Sequence, residues 1–92
     1  MGVEWSNDAV SDLKQISEYL EHASSLQTAN RITRTIYDAI QGLRLMPHCG
    51  RPGRIANTRE LLVSRLPYFV VYRVIDERIL ILNIVHGARK WP

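Results

Sequence analysis

The chain has 92 residues, of which 46% are hydrophobic and 23% charged, and its formal net charge is +3 at pH 7. This length supports one hydrophobic core, so we expect residues 1–92 to form a single domain, and the composition excludes a disordered chain. No apolar stretch reaches the roughly 20 residues that span a bilayer, and the one cysteine, Cys49, has no internal partner for a disulfide. We therefore expect a cytoplasmic protein that makes no membrane contact.

The first predicted elements are a short strand and two helices. Residues 3–5 form the strand, either Ser6 or Asn7 caps the first helix, and Asp8 suits the positive end of the helix dipole. Apolar residues then recur every three or four positions, which is the helical period. They are Val10, Leu13, Ile16 and Leu20 in the first helix, and Ala29, Ile32, Ile36, Ala39 or Ile40, and Leu43 in the second. Because only the segment 21–27 interrupts the pattern, the two helices are predicted to form an antiparallel hairpin.

A basic loop and a set of strands make up the second half. Residues 47–59 read PHCGRPGRIANTR, and their two prolines and two glycines predict a loop. The segments 60–66, 67–75 and 78–86 are rich in β-branched and aromatic residues, which favours strands, and the two residues between the last pair form a tight turn. A short strand, a helical hairpin and a three-stranded antiparallel meander give an α+β fold with the helices on one face of the sheet.

The register of the last hairpin predicts which side chains share a face. If residue 75 pairs with 78, then 72 pairs with 81 and 69 with 84. The face predicted to pack on the helices carries Tyr68, Val70, Tyr72, Val74, Ile79, Ile81, Asn83 and Val85. The other carries Phe69, Val71, Arg73, Ile75, Leu80, Leu82, Ile84 and His86. We expect this second face to be partly open and apolar, with Arg73, His86 and the loop arginines at its rim.

No metal or cofactor site is predicted. The residues that could supply soft ligands are His22, His48, Cys49 and His86, and no pair of them has the spacing of a metal site. The loop sequence GRPGR has two glycines, but no strand precedes it and no Lys-Ser/Thr follows, so it is not a phosphate-binding loop.

Arginine dominates the positive charge, and most of that charge lies in the second half. Residues 1–30 carry a net charge of −4 and residues 31–92 a net charge of +7, and ten of the twelve cations are arginine. Because arginine binds phosphates and carboxylates with two parallel hydrogen bonds, this half suggests an acidic partner, either nucleic acid or an acidic protein segment. Solubility alone is an equally simple explanation of the charge.

Several residues of the second half are candidates for binding. The loop arginines, Arg51, Arg54 and Arg59, are expected to be exposed because no acid adjoins them in the loop. Arg73 either pairs with an acid such as Glu60 or acts directly. The final segment, HGARKWP, leaves the sheet at Gly87. It places Arg89 and Lys90 beyond the last strand, and Trp91 is suited to fold back as an apolar anchor.

The order of these motifs resembles the RelE/ParE superfamily of bacterial type II toxin–antitoxin systems. The resemblance rests on the helical hairpin, the basic Gly/Pro loop and the segments TRELLV, LPYFVVYRV and HGARKWP, and it extends from about Val3 to Trp91. It implies a toxin of a plasmid stabilisation-type system. It also implies a ParD- or RelB-like antitoxin that wraps around the toxin in a hetero-oligomer. The apolar strip of the second face is then the expected antitoxin-binding surface: Phe69, Val71, Arg73, Leu80 and Leu82.

The superfamily divides by target, and the resemblance is nearer to its ParE side. RelE-like members cut messenger RNA on the ribosome, a reaction that requires an acid, a base and cations beside the phosphate. They carry an arginine directly after the tyrosine that opens the middle strand, where this chain has Phe69, and a tail tyrosine that this chain lacks; only Arg89 matches. ParE-like members inhibit DNA gyrase by binding it. The resemblance therefore implies a gyrase inhibitor whose target-binding residues are Arg51, Arg54, Arg59, Arg89, Lys90 and Trp91.

Two alternatives remain open. In a ribosome-dependent endoribonuclease, Arg73, His86 and Arg89 would be the catalytic candidates, with Tyr72 as a further one. A basic module that binds nucleic acid directly through residues 51–59 would need no catalytic group.

Overall fold

A five-stranded sheet with two helices packed on one face makes up the computed structural model, which describes all 92 residues. The predicted α+β plan is confirmed. In chain order the elements are β1 (Gly2–Trp5), α1 (Asn7–Ala23), α2 (Leu26–Gly42), β2 (Arg51–Pro52), β3 (Arg59–Leu62), β4 (Tyr68–Ile75) and β5 (Arg78–His86).

The sheet brings the two ends of the chain together. Its strand order is β1-β5-β4-β3-β2, with β1 parallel to β5 and every other pair antiparallel. The predicted meander is therefore β3-β4-β5, and two strands flank it. One of these, β2, lies inside the segment that was predicted to be only loop. The predicted strand 60–66 is too long because the chain turns after Leu62, where Val63 N donates to Tyr68 O and Arg65 adopts a left-handed conformation.

Serine side chains start both helices. The Ser6 hydroxyl accepts a hydrogen bond from Ala9 N, and the Ser25 hydroxyl accepts one from Thr28 N, each at 3.0 Å. Each bond satisfies one backbone N–H that has no partner within its helix. The connection between α1 and α2 is two residues long, so the predicted antiparallel hairpin is confirmed and its break is shorter than the segment 21–27.

The main core lies between the helical hairpin and one face of the sheet. From the helices it takes Ala9, Ile36, Ile40 and Leu43, and from the strands and their turns Val63, Tyr68, Val70, Tyr72, Ile79, Ile81 and Ile84. Leu13 and Ile16 of α1 pack at its edge. Val10 is 54% exposed, so this position of the predicted apolar stripe of α1 lies outside the core.

A β-bulge in β5 changes the predicted register. Residue 75 pairs with 78 and 72 with 81, as predicted, but Val71 pairs with Asn83, so Leu82 is the extra residue and Phe69 pairs with Val85. The one-residue shift turns the side chains that follow Asn83 to the opposite face. The predicted faces of Ile84, Val85 and His86 are therefore wrong: Ile84 packs in the main core, Val85 lies on the other face, and His86 pairs with Tyr68.

Side chains from the start of α1 bind the polar groups of the bulge. The Ser6 hydroxyl donates to Leu82 O at 2.8 Å, and Asp12 Oδ2 accepts from Ile84 N at 2.9 Å and from Asn83 Nδ2 at 3.1 Å. Ser6 thus caps α1 and binds the bulge at once. These three bonds fix α1 against the end of β5.

Candidate functional site

The second sheet face is covered by the C-terminal segment. Phe69, Val71 and Val85 are at most 2% exposed, and Leu82 and Trp91 pack against them. We call these five residues the tail-covered face. Trp91 folds back onto the sheet as predicted, and for that reason the expectation of an open apolar strip is wrong. The antitoxin-binding roles of Phe69, Val71, Arg73, Leu80 and Leu82 stay a prediction.

A buried acid organises the basic loop. The Glu60 side chain is 1% exposed. Its Oε1 accepts from Arg51 Nη2 at 2.9 Å and from Arg51 Nε at 3.2 Å, and its Oε2 accepts from Arg54 N at 3.0 Å. The expectation that no acid lies near the loop arginines is wrong, and so is the suggested pairing of Glu60 with Arg73. Glu60 pairs with Val71 across the strands and therefore shares its face, which brings the acid under the loop.

The charge of Glu60 is favoured by its partners. Burial by itself raises the pKa of the Glu60 carboxyl because it penalises the charged form. The backbone N–H of Arg54, the guanidinium of Arg51 and the positive charges of both arginines outweigh that penalty and lower the pKa below its ordinary value. Glu60 is therefore ionised at neutral pH.

Arg54 joins the loop to the C-terminal segment. Its guanidinium carbon lies 5.2 Å from the centroid of the Phe69 ring, its Nη1 donates to Trp91 O at 3.5 Å, and its Nε lies 3.7 Å from Glu60 Oε1. The Arg51 and Arg54 side chains each remain 47% exposed. Both arginines thus retain donors for an external anion while an internal acid holds them in position.

Arg59 and Tyr72 have structural contacts that sequence reasoning missed. Arg59 Nη1 donates to Gly50 O at 2.8 Å and to His48 O at 3.0 Å. The Tyr72 hydroxyl accepts from Gly50 N at 2.9 Å and donates to Pro47 O at 2.8 Å. A Cβ at Gly50 would lie 2.7 Å from Tyr72, so glycine is required for this close approach. The two side chains fix the start of the loop, and Tyr72 is fully buried.

The three nuclease candidates do not form one cluster. Arg73 pairs with Leu80 on the same face as Val71, whereas His86 pairs with Tyr68 and contacts the Tyr68 ring edge-on, with the centroids 5.3 Å apart. Their positions on β4, at Arg73 and Tyr68, are five residues apart, which is roughly 16 Å along a strand. Arg89 borders the same cavity as His86. Arg73 Nε is buried without a hydrogen-bond partner.

Two concave regions lie beside α1. A groove of about 480 Å³ runs between α1 and α2 and ends at Trp5, whose ring stacks on Tyr37 at 6.4 Å. A cavity of about 420 Å³ lies between α1 and the end of β5. No three side chains of the His, Cys, Asp and Glu types gather as metal ligands would, and neither helix has the length and apolar content to cross a bilayer.

Comparison with known proteins identifies the family. A family model described as the ParE toxin of the type II toxin–antitoxin system parDE matches residues 3–91. The chain belongs to this family. It is 36% identical over 90 residues to a protein of Sinorhizobium fredii named "Putative toxin Y4kP", a match that covers 98% of this chain and 92% of that protein. The predicted membership of the RelE/ParE superfamily is thereby confirmed.

Solved structures agree with this ParE-family assignment. The chain superposes on a chain of the chromosomal ParDE system of Pseudomonas aeruginosa with a TM-score of 0.87 and 25% identity, covering 94% of this chain and 95% of that one. A chain of the intact Escherichia coli RelBE toxin–antitoxin complex matches with a TM-score of 0.68, covering 96% and 98% of the two chains. Its identity is 12%, so that match shows the shared fold alone.

Proposed function

We propose that this ParE-family toxin acts by binding a protein target, DNA gyrase, and not by cutting RNA. The observation that carries the proposal is the residue at the position where a RelE-like toxin has its phosphate-binding arginine. That position is Phe69, which is 2% exposed beneath Trp91 and Arg54. An apolar ring stabilises no charge on a phosphorane.

The separation of the remaining candidates also supports binding over cleavage. Arg73 lies on the opposite side of the sheet from His86 and Arg89, and the Tyr72 hydroxyl already has two partners. Acid–base catalysis on one phosphate requires its groups within hydrogen-bond reach of the same atoms. This arrangement does not provide that.

The target-binding residues that we retain are exposed cations of the second half. Arg51 and Arg54 are held half-exposed around Glu60, and Arg89 and Lys90 follow the last strand with no acid as an ion-pair partner. We assign Arg59 to the support of the loop. Trp91 holds the C-terminal segment on the sheet, so its contribution to binding is to position the cations before it.

We propose further that a ParD- or RelB-like antitoxin encoded beside the gene neutralises the toxin in the cytoplasm, in a plasmid stabilisation-type system. The relatives with this fold belong to toxin–antitoxin systems, which supports such a partner. The net charge of +7 in residues 31–92 favours an acidic segment in that antitoxin.

Two assays run side by side test the target. In the first, purified toxin is added to gyrase and relaxed plasmid, and we expect supercoiling to stop. In the second, the toxin is added to a translating ribosome system, and messenger RNA is mapped for cuts within codons. Codon-phased cleavage with normal supercoiling would contradict the proposal and favour a ribosome-dependent nuclease. Salt-sensitive binding to naked nucleic acid with neither effect would favour the basic module.

Charge-matched variants show whether the tail contacts the target. Arg89→Ala with Lys90→Ala should relieve gyrase inhibition at least tenfold while leaving the fold intact. The control is the double variant Arg31→Ala with Arg34→Ala, which also removes two positive charges but from the exposed side of α2. We expect this control protein to inhibit gyrase as strongly as the wild type does. Equal inhibition by both double variants would show that Arg89 and Lys90 do not contact gyrase.

A further inference from the structure

Two side-chain donors are buried in the chain without an acceptor, and both lie on the same face of the sheet. They are Arg73 Nε and Trp91 Nε1, and no other buried side-chain nitrogen or oxygen atom lacks a partner. Arg73 follows Val71 by two residues on β4, and Trp91 packs on the cluster that contains Val71. Buried polar groups of folded proteins almost always have partners, so two unpartnered donors on one face mark a surface suited to a partner with acceptors.

Arg73 also lacks an acidic partner, unlike the other arginines on this face. The loop arginines share Glu60, and Arg78 pairs with Glu4 at 3.1 Å. Arg73 forms no ion pair, and its guanidinium is charged at every physiological pH. Burial of a charged donor without an acceptor costs more free energy than burial of a neutral one, and a negatively charged ligand at Arg73 recovers that cost.

Trp91 connects Arg73 with the cations that we assign to target binding. Arg54 Nη1 donates to Trp91 O, and Arg89 and Lys90 directly precede Trp91. The two unpartnered donors are therefore continuous with the exposed cations, and a partner bound to those cations extends onto this face.

A small shift of the C-terminal segment gives a ligand access to the buried donors. Residues 90–92 are held by the packing of Trp91 and by one hydrogen bond, from Arg54 to Trp91 O, whose length of 3.5 Å is near the limit for such a bond. The residues before them are fixed more firmly, because Gly87 N donates to Pro67 O and Arg89 N to His86 O, at 2.6 and 2.9 Å. Movement is thus confined to the end that carries the tryptophan.

The surroundings of Arg73 favour one carboxylate over a run of phosphates. Apolar side chains adjoin it, Val71 on its own strand and Leu80 across the hairpin, and the same face carries the acids Glu60 and Glu4. One uncompensated guanidinium balances one negative charge, whereas a chain of phosphates requires several cations. The Trp91 indole is a neutral donor and suits a neutral acceptor such as a backbone carbonyl.

We propose that Arg73 and the Trp91 indole bind an acidic segment of the toxin's protein target. One aspartate or glutamate side chain of the segment accepts hydrogen bonds from the Arg73 guanidinium, and a backbone carbonyl of the segment accepts one from Trp91 Nε1. Arg73 is then a specificity-determining residue of the target contact, and Trp91 adds a direct contact to its positioning role. The identity of the target rests on the proposed function, whereas the preference for a carboxylate follows from the two donors.

A peptide titration of the full chain tests the carboxylate preference without gyrase. The probe is N-acetyl-Gly-Asp-Gly-amide, and its matched control has Asn in place of Asp. A ¹H–¹⁵N NMR spectrum records the Arg73 Nε–H and the Trp91 indole N–H directly, and a Trp5→Phe variant shows which indole signal belongs to Trp91. We expect the Asp peptide to move both signals in a saturable way and to bind about tenfold more tightly than the Asn peptide, since one charge-assisted hydrogen bond is worth at least that factor.

Three results of this titration would overturn the proposal. Equal affinity for the two peptides would remove the carboxylate preference, and unmoved signals would show that the two donors bind no segment. Tighter binding of inorganic phosphate than of the Asp peptide at these signals would assign the donors to nucleic acid.

Arg73→Met separates a binding role from a structural one, because it keeps an unbranched side chain and removes the unpaired charge. The replacement should raise the melting temperature by roughly 4 °C or more, since a buried donor without a partner destabilises the fold. It should also weaken gyrase inhibition and binding of the Asp peptide about tenfold. Arg31→Met is the matched control: the same replacement at an exposed position of α2 should change none of the three. A lowered melting temperature for Arg73→Met would show that the fold already supplies a partner for Arg73, contrary to the proposal.

The gyrase assay tests the target as the source of the segment. If wild-type toxin leaves supercoiling intact, the proposed function fails, and the peptide titration still decides whether the two donors bind a carboxylate. If wild-type toxin inhibits gyrase and Arg73→Met inhibits it equally, the target is not the occupant, and the proposed function stands without this inference.

Discussion

Replacing Glu60 with glutamine should destabilise the fold substantially. The change keeps the shape of the side chain but removes the negative charge of the carboxylate. That carboxylate accepts two hydrogen bonds from the Arg51 side chain and one from Arg54 N. The change also places an amide N–H₂ group against those donors. Removing one partner of a fully buried ion pair costs about 3–5 kcal/mol. Because both arginine side chains are 47% exposed and regain water, we expect about 2–3 kcal/mol.

Thermal unfolding followed by circular dichroism measures this loss. For a chain of 92 residues, about 2–3 kcal/mol corresponds to a fall of roughly 10–20 °C in melting temperature. The control is Glu4→Gln, which breaks the exposed pair with Arg78, whose side chain is 58% exposed, and should cost less than about 1 kcal/mol. A Glu60→Gln melting temperature within about 2 °C of the wild type would refute the reasoning about the buried acid.

The pH dependence of the same pair of proteins is a second readout. The folded state lowers the pKa of Glu60 below its ordinary value of 4.5. The stability that this group contributes is therefore fully present above about pH 5 and is lost as the pH falls through the lowered folded pKa. The difference in unfolding free energy between wild type and Glu60→Gln should be constant near neutral pH and shrink in acid. A difference that grows as the pH falls below 4.5 would contradict the sign of the shift.

Three further substitutions test single contacts of the fold. Asp12→Ala leaves Ile84 N without its partner at the bulge and should cost about 1–3 kcal/mol, measured by urea unfolding. Gly50→Ala places a Cβ 2.7 Å from the Tyr72 ring, so the loop must shift, and we expect a lower melting temperature and broadened NMR resonances for residues 47–53. Ile36→Ala empties a fully buried position and should cost about 2–5 kcal/mol, with loss of toxicity that follows the loss of folded protein. An unchanged unfolding midpoint in any of the three would show that its contact is not formed in solution.

The arginine-rich composition predicted a binding surface that includes all the loop arginines, but the structure leaves fewer of them free to bind a partner. Of the loop arginines, Arg51 and Arg54 bind an internal acid and Arg59 binds backbone carbonyls. Composition counts the cations but carries no information on which of them find a partner inside the fold. Sequence separation hides these partners, because Glu60 lies nine residues from Arg51 along the chain but directly opposite it on the neighbouring strand.

Local periodicity determined most of the architecture. The 3.6-residue spacing of apolar side chains, the serines before each helix and the β-branched segments act within a few residues, so the hairpin and the strands β4 and β5 follow from the sequence alone. The ordered motifs from the helical hairpin to HGARKWP were also enough to predict the family that the comparison confirms.

Only the tertiary structure decided which side chains meet. The bulge at Leu82 depends on Ser6 and Asp12, which lie 76 residues from Leu82 and 72 from Ile84 respectively, and it reverses the faces of the last three residues of β5. The cover over Phe69 depends in the same way on Trp91, which lies 22 residues further along the chain. A hydrophobic pattern along the chain indicates whether a segment is a helix or a strand, but not which distant segment packs against it. The site is formed by hydrogen bonds and packing between such distant segments.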